Sequence, residues 1–203
     1  MTAVPDSELA RKAEQLLRAA STPALANHCL RSFHWATALA ALDRVDFDAE
    51  LLFVAAALHD LGLVDQFDTG ESFERDSAIA CETFASQNGW PPRRSATAGE
   101  AIILHMASQI SREDGAAAYL LWHATGLDVV GSRIGELPPA LIRHVVSEYP
   151  RLDFASHFGS LFADQAKRKP ASSTARAVGA GLLDRLQHCP LNHIGVPGSS
   201  HEH

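Results

Sequence analysis

The stretch AELLFVAAALHD, residues 49–60, decides how this chain reads. As a helix it is apolar on nearly every side, so it belongs at the buried centre of a domain and not on its surface. Asp48 can cap its N-terminus. Gly62 follows, a natural position for the left-handed residue that terminates a helix. His59 and Asp60 therefore stand at the C-terminal end of the most buried helix. The dipeptide alone is weak, since chance supplies about 0.7 such pairs in a chain of this composition. Its placement strengthens it: a charged Asp after a run of apolar positions is costly to bury unless it is paired or coordinates a cation.

On both sides of this centre the chain reads as helix, and no alternating strand is found. Asp6 or Ser7 can cap a first helix, Glu8–Ala20, and Pro23 opens a second through NHCLRSFHWATALAAL to about residue 42. The loop VDQFDTGES (64–72) leads to a fourth, SFERDSAIACETFASQ, stopped near Asn88 and Gly89. A fifth runs from Pro91 and Pro92 to His105, and a sixth from about Arg112 to Gly131. Pro138 and Pro139 open another that Pro150 closes. Stretches at 154–165 and 173–188 complete the set, joined by the basic connector KRKPASS. The expected fold class is all-α: one helical bundle of about eight to ten helices over residues 1–190. The glycine- and proline-rich segment 191–203 is expected to be a flexible tail, with His201 and His203 as tail residues.

A chain of 203 residues fits one domain with a sizeable core. The formal net charge is -7, and lysine supplies only three of the 17 basic residues. Such a chain lacks the general pull toward phosphate backbones, which argues against a nucleic-acid partner. Cys29, Cys81 and Cys189 show no CxxC spacing and read as small apolar residues of a reducing compartment. No apolar signal core opens the sequence, and the longest apolar run, residues 51–58, is far short of a membrane span. The expectation is a soluble, cytoplasmic protein that acts on a small molecule and meets no membrane. Apolar helices near Leu161 and Leu182 offer a face for a homodimer.

His28 lies in the middle of the second helix, in NHCLRSFHWA (27–36), and Arg31 shares its face three residues on. Asp128 is a carboxylate among apolar residues in GLDVVG (126–131). Taken alone, His28 reads equally as a hydrogen-bonded core histidine, and Asp128 as a cap or turn residue. Taken with His59 and Asp60, they offer two imidazoles and two carboxylates to one divalent ion. That set suits zinc, iron, manganese or nickel better than copper.

These stretches, with ELLFVAAALHDLGL (50–63), FERDSAIACETF (73–84) and EAIILHMAS (100–108), resemble the HD-domain superfamily of metal-dependent hydrolases, most closely its cyanamide hydratase-like branch. YPRLDF (149–154) and KRKP (167–170) extend the similarity, which covers about residues 25–170. Family members carry HS where this chain has His28 followed by Cys29, a change that spares the ligand. The resemblance implies a helical fold and a mononuclear site with His28, His59, Asp60 and Asp128 as its four ligands, zinc being the favoured ion.

Around these ligands, His105 reads as a substrate-binding group, an acid/base group or an added ligand, or else as a core histidine at a helix end. Glu74 and Asp76 read as acid/base groups, or as first-turn charges that complement the helix dipole. Arg31 is the candidate substrate-binding cation, and the loop 64–72 a candidate lid. His34 falls on the opposite helix face, and His123 shares no face with Asp128 and reads as structural. A divalent ion in such a site lowers the pKa of water. The reaction the resemblance implies is addition of water to a nitrile-type or other C–N group, with His105, Glu74 or Asp76 delivering a proton. A phosphohydrolase using Arg31 against a mononucleotide or small phosphate ester is the alternative. A non-catalytic ligand-sensing module is the alternative of another class.

Overall fold

The computed structural model describes residues 3–194. Among them are ten α-helices and no strand: α1 (Glu8–Ala20), α2 (Pro23–Asp43), α3 (Ala49–Leu58), α4 (Phe73–Gln87), α5 (Pro92–Leu104), α6 (Ala116–Val130), α7 (Pro139–Glu148), α8 (Phe154–Arg168), α9 (Ser173–Gly179) and α10 (Leu182–Gln187). The start signals operate as side-chain caps. Ser7, Thr22, Asp48 and Ser172 each accept a backbone N–H three residues on, which satisfies one donor that the first helical turn leaves open.

Every residue of α3 from Leu51 to Leu58 is buried, as its unbroken apolar run requires. It is wrapped by α1, α2, α4, α5 and α6, with α4 lying along α5 and α2 along α6. A second, smaller core forms where α8, α9 and α10 fold back on this bundle. Phe154, Phe158 and Phe162, one helical turn apart on α8, meet Leu25, Leu63, Phe73, Val129 and Leu186 there. Leu161 and Leu182, on which the homodimer expectation rests, are half-buried against this second core. No helix of the described residues is long and apolar enough to cross a membrane.

Several boundaries differ from the sequence reading, each for a local reason. The centre helix ends at Leu58, so His59 and Asp60 lie in the turn beyond it. Gly62 is not left-handed; it is glycine because a Cβ would sit 2.1 Å from the Phe73 carbonyl oxygen, where α4 begins. The sixth helix starts at Ala116 and not near Arg112, because Gly115 (φ 98°) separates it from a 3-10 turn at Arg112–Asp114. The expected helix over 173–188 is two helices, broken at Gly181 (φ 82°). The expected tail begins too early: Pro190–His193 form a 3-10 turn with Leu191 fully buried. The rest of that tail, with His201 and His203, lies outside the described residues.

The loop 64–72 is not a free lid. Asp68 accepts hydrogen bonds from Gln165 (3.0 Å), Arg168 (2.8 Å) and Lys169 (2.8 Å) at the end of α8. Asp76 holds the same loop through the backbone N–H and hydroxyl of Thr69. Burial opposes the charged form of Asp68, but the bonds from Lys169, Arg168 and the Gly70 N–H prevail and keep its carboxyl well below the usual range. That stabilisation is present above the unfolded pKa of about 4 and is lost as pH falls toward the folded value. Asp68→Asn is therefore expected to lower stability by about 1–2 kcal/mol near neutral pH. In urea unfolding series, the gap to wild type should hold from about pH 5 to 8 and narrow below about pH 4.

Candidate metal centre

The turn after α3 brings His59 and Asp60 against His28 from the middle of α2. His28 Nε2 and His59 Nε2 are 3.2 Å apart, and each lies 3.3 Å from Asp60 Oδ2. The two ring orientations are set from behind. His28 Nδ1–H donates to Asp128 Oδ2 (2.8 Å), and His59 Nδ1–H donates to the Ala56 carbonyl (2.8 Å). Each bond places the proton on Nδ1 and leaves Nε2 as a bare lone pair facing the common centre. Asp60 Oδ2 is buried there with no hydrogen-bond partner. Two lone pairs and an orphaned carboxylate oxygen in one buried spot, all within 4.8 Å of one another, repel unless a cation lies between them. The donor set, two imidazole nitrogens and one carboxylate oxygen, fits a divalent ion of the zinc, iron or manganese kind.

The electrostatics agree. Burial pushes the Asp60 carboxyl up, but His59 and His28 override it and bring it down to about 2. Burial lowers His59. For His28, burial also works downward, yet the carboxylates of Asp128 and Asp60 win and raise it. The largest upward push on His28 comes from Asp128 behind the ring, and the next from Asp60.

The centre forms the inner end of a cavity of about 560 Å³ between the bundle and the C-terminal helices. His105, just past α5, lines it beside His59, with ring centroids 5.0 Å apart. Its Nδ1 bonds the Ile102 carbonyl, so Nε2 is its remaining functional atom. Burial lowers its pKa to about 4, which makes it a neutral acceptor at physiological pH.

Four expectations are corrected. Asp128 is not placed at the centre: it sits behind His28, fully buried. Its two oxygens accept Arg31 Nε and Nη2 (2.8 Å each), Trp35 Nε1 (2.7 Å) and Arg151 Nη1 (3.3 Å) besides the His28 ring. Burial would raise its carboxyl, but Arg31 and Arg151 hold it well below the usual range. Arg31 is no substrate group, because it is fully buried and committed to Asp128 and to the carbonyls of Tyr149 and Pro150. Asp76 is buried and faces the loop 64–72 and Lys169, away from the cavity. That loop contributes nothing to the cavity lining either. Glu74 takes an intermediate position: it is buried, Ser173 Oγ donates to its Oε1 (2.7 Å), and it stands behind the cavity wall that Ser173 forms.

Sequence reading missed the far wall. Phe158 and Phe162 of α8, Ser173, Arg176 and Ala177 of α9, and Leu182 and Arg185 of α10 line the cavity, as does His123, which read as structural. The glycines of VGAGLL (178–183) mark the break that turns α10 toward the cavity, and they were the available signal. His34 is buried against Tyr149, away from the centre.

The family model described as HD domain matches residues 25–149, more than half of the chain. Two curated proteins of Saccharomyces cerevisiae, cyanamide hydratases DDI2 and DDI3, are each 28% identical to it over 176 residues, covering 84% of this chain and 78% of theirs. The matched segment contains His28, His59, Asp60 and Asp128. The chain belongs to the HD-domain family.

Proposed function

We propose that this chain adds water to a nitrile-type or related C–N group of a small molecule, using one divalent ion, zinc by preference, held by His28 Nε2, His59 Nε2 and Asp60 Oδ2. The observation that carries the reading is the orphaned Asp60 oxygen facing two bare imidazole nitrogens at the inner end of the cavity. The similarity to cyanamide hydratases supports the choice of bond. A divalent ion there supplies Lewis acidity, which makes water a usable nucleophile at neutral pH. The protein's part is to orient and to exclude. His28 and His59 hold fixed tautomers through Asp128 and the Ala56 carbonyl. His105 Nε2 would accept a proton from the attacking water and hand it to the substrate nitrogen, so that one water's O–H is broken and C–O and N–H bonds form. Glu74, bonded to Ser173 behind the wall, serves as a positioning residue for α9. The three described cysteines are free and buried, which fits a reducing compartment such as the cytoplasm.

The phosphate-ester alternative depended on Arg31, and its guanidinium is not available to a substrate. Arg31→Ala should act on folding, since it leaves Asp128 charged, buried and short of its two strongest donors. The expected loss is about 3–5 kcal/mol by urea unfolding, the usual consequence of breaking a buried pair. Unchanged stability with a selective loss of phosphatase turnover would reverse this assignment.

Elemental analysis of the purified chain should find about one divalent ion per molecule, abolished in His59→Ala and in Asp60→Ala. Chelation should lower the melting temperature, because a bound ion stabilises by mass action, several kcal/mol when saturating. Equal melting temperatures after verified metal loss would count against the site.

Turnover is tested by giving the metal-loaded protein cyanamide, small nitriles and nucleoside monophosphates in parallel. Amide or urea product from the first two groups, with phosphate release at background, is the expected result. His105→Ala should lower kcat by about 10²-fold or more.

A further inference from the structure

We propose that the substrate carries an anionic group at the end remote from its reacting carbon, recognised by Arg176 and Arg185. This deepens the hydratase reading and rests on it for the identity of the reacting end alone.

The first observation is size. A cyanamide-sized molecule needs roughly twice the ~30 Å³ share of a water. The cavity, at about 560 Å³, is far larger than such a molecule requires. The second is the burial of the lining residues. Besides the buried centre, the lining includes Val129, Val130, Phe158, Phe162 and Leu182, apolar surface with a few hydroxyls such as Thr125 and Ser132 among it. The exposed arginines of α9 and α10 stand at the solvent end.

The third observation is charge. This chain has 24 acidic residues, yet Asp60 is the single carboxylate among the described lining residues, and it belongs to the metal centre. Arg176 donates to the Ala171 carbonyl and pairs with no described carboxylate, and Arg185 has none either. Two guanidiniums at the mouth of a cavity whose described lining holds no acid but Asp60, in a protein of net charge -7, form a local positive site for a carboxylate or phosphate oxygen. Gly181 sets both arginines on one wall by turning α10 back beside α9.

The test uses the zinc-loaded full chain and measures binding and turnover separately. The probes are a five-carbon ω-cyanocarboxylate, its methyl ester and the matching cyanoalkyl phosphate. By calorimetry, the charged probes should bind about fivefold or more tighter than the ester, and the preference should shrink as salt is raised. Comparing the carboxylate with the phosphate tells which oxyanion the pair prefers. In Arg176→Gln/Arg185→Gln the preference should fall to near one, with each single variant between. Both positions are exposed, and a melting curve checks that the variants fold. Equal binding of ester and anions by wild type would overturn the proposal. So would a preference that survives in the double variant, since the anion would then sit at the metal. If the preference holds while no nitrile is turned over, the hydratase reading falls and the anion site stands. If neutral nitriles are turned over without any preference for charge, the reverse holds.

Discussion

Five donors converge on the carboxylate of Asp128: the Nδ1–H of His28, two N–H groups of Arg31, the Trp35 indole and Arg151. A buried carboxylate is tolerable only when its lone pairs are filled and its charge is matched, and here both conditions are met. The constraint reaches further than local satisfaction. Three of the four residues come from consecutive turns of α2, so the bond pattern fixes the rotation of that helix about its own axis. It thereby fixes where His28 Nε2 points. The Arg151 bonds, to the side chain and to the Asp128 carbonyl, bind the start of α8 to the same spot. The metal centre and the cavity wall opposite it are thus positioned by one anion.

The bundle and the C-terminal helices then divide the work. The bundle contributes His28, His59, Asp60 and His105, all buried, and each of the three rings is oriented by a bond on its Nδ1. The helices α8 to α10 supply shape. They pack through a ladder of phenylalanines, and the Asp68 clamp joins their far end to the loop before α4. The four residues KRKP at 167–170 contain two of the three donors in that clamp, which gives a physical reason for a basic cluster in an otherwise acidic chain.

The all-helical class and the buried centre helix were legible because each depends on local signals, apolar periodicity and caps, whereas the joining of His28 to His59 and Asp60 rested chiefly on the resemblance to HD-domain proteins, since a lone histidine in a buried helix reads equally as a core residue. The role of Asp128 was not legible in the same way. Sequence shows that a carboxylate is buried near the centre, but whether its oxygens meet a metal or guanidinium groups depends on where Arg31 and Arg151 arrive. Spacing on α2 correctly put Arg31 on the face of His28, yet it could not say that this face was already claimed by an anion from α6. Gly62 teaches the same lesson at smaller scale. Its position after a helix suggested a backbone conformation, whereas its cause is the carbonyl of Phe73 pressing close from another element. The far wall of the cavity was missed because short helices such as α9 and α10 carry too few turns for periodicity to reveal their break or their inward face.

The spacing of the Asp128 partners along the chain has a consequence for synthesis. Arg31 and Asp128 are 97 positions apart, and Arg151 follows 23 positions later. A nascent chain emerged only through α7 holds the carboxylate, the histidine ring and one guanidinium, but not the second guanidinium or the aromatic ladder of α8. The cysteine at 189, whose thiol meets the Asp128 carbonyl, and the buried Leu191 arrive later still. Contacts this distant in sequence close late, since the loop entropy must be overcome before they contribute. The full donor set of Asp128 can therefore be complete only after the chain has been made past residue 151, well after His28, His59 and Asp60 have emerged.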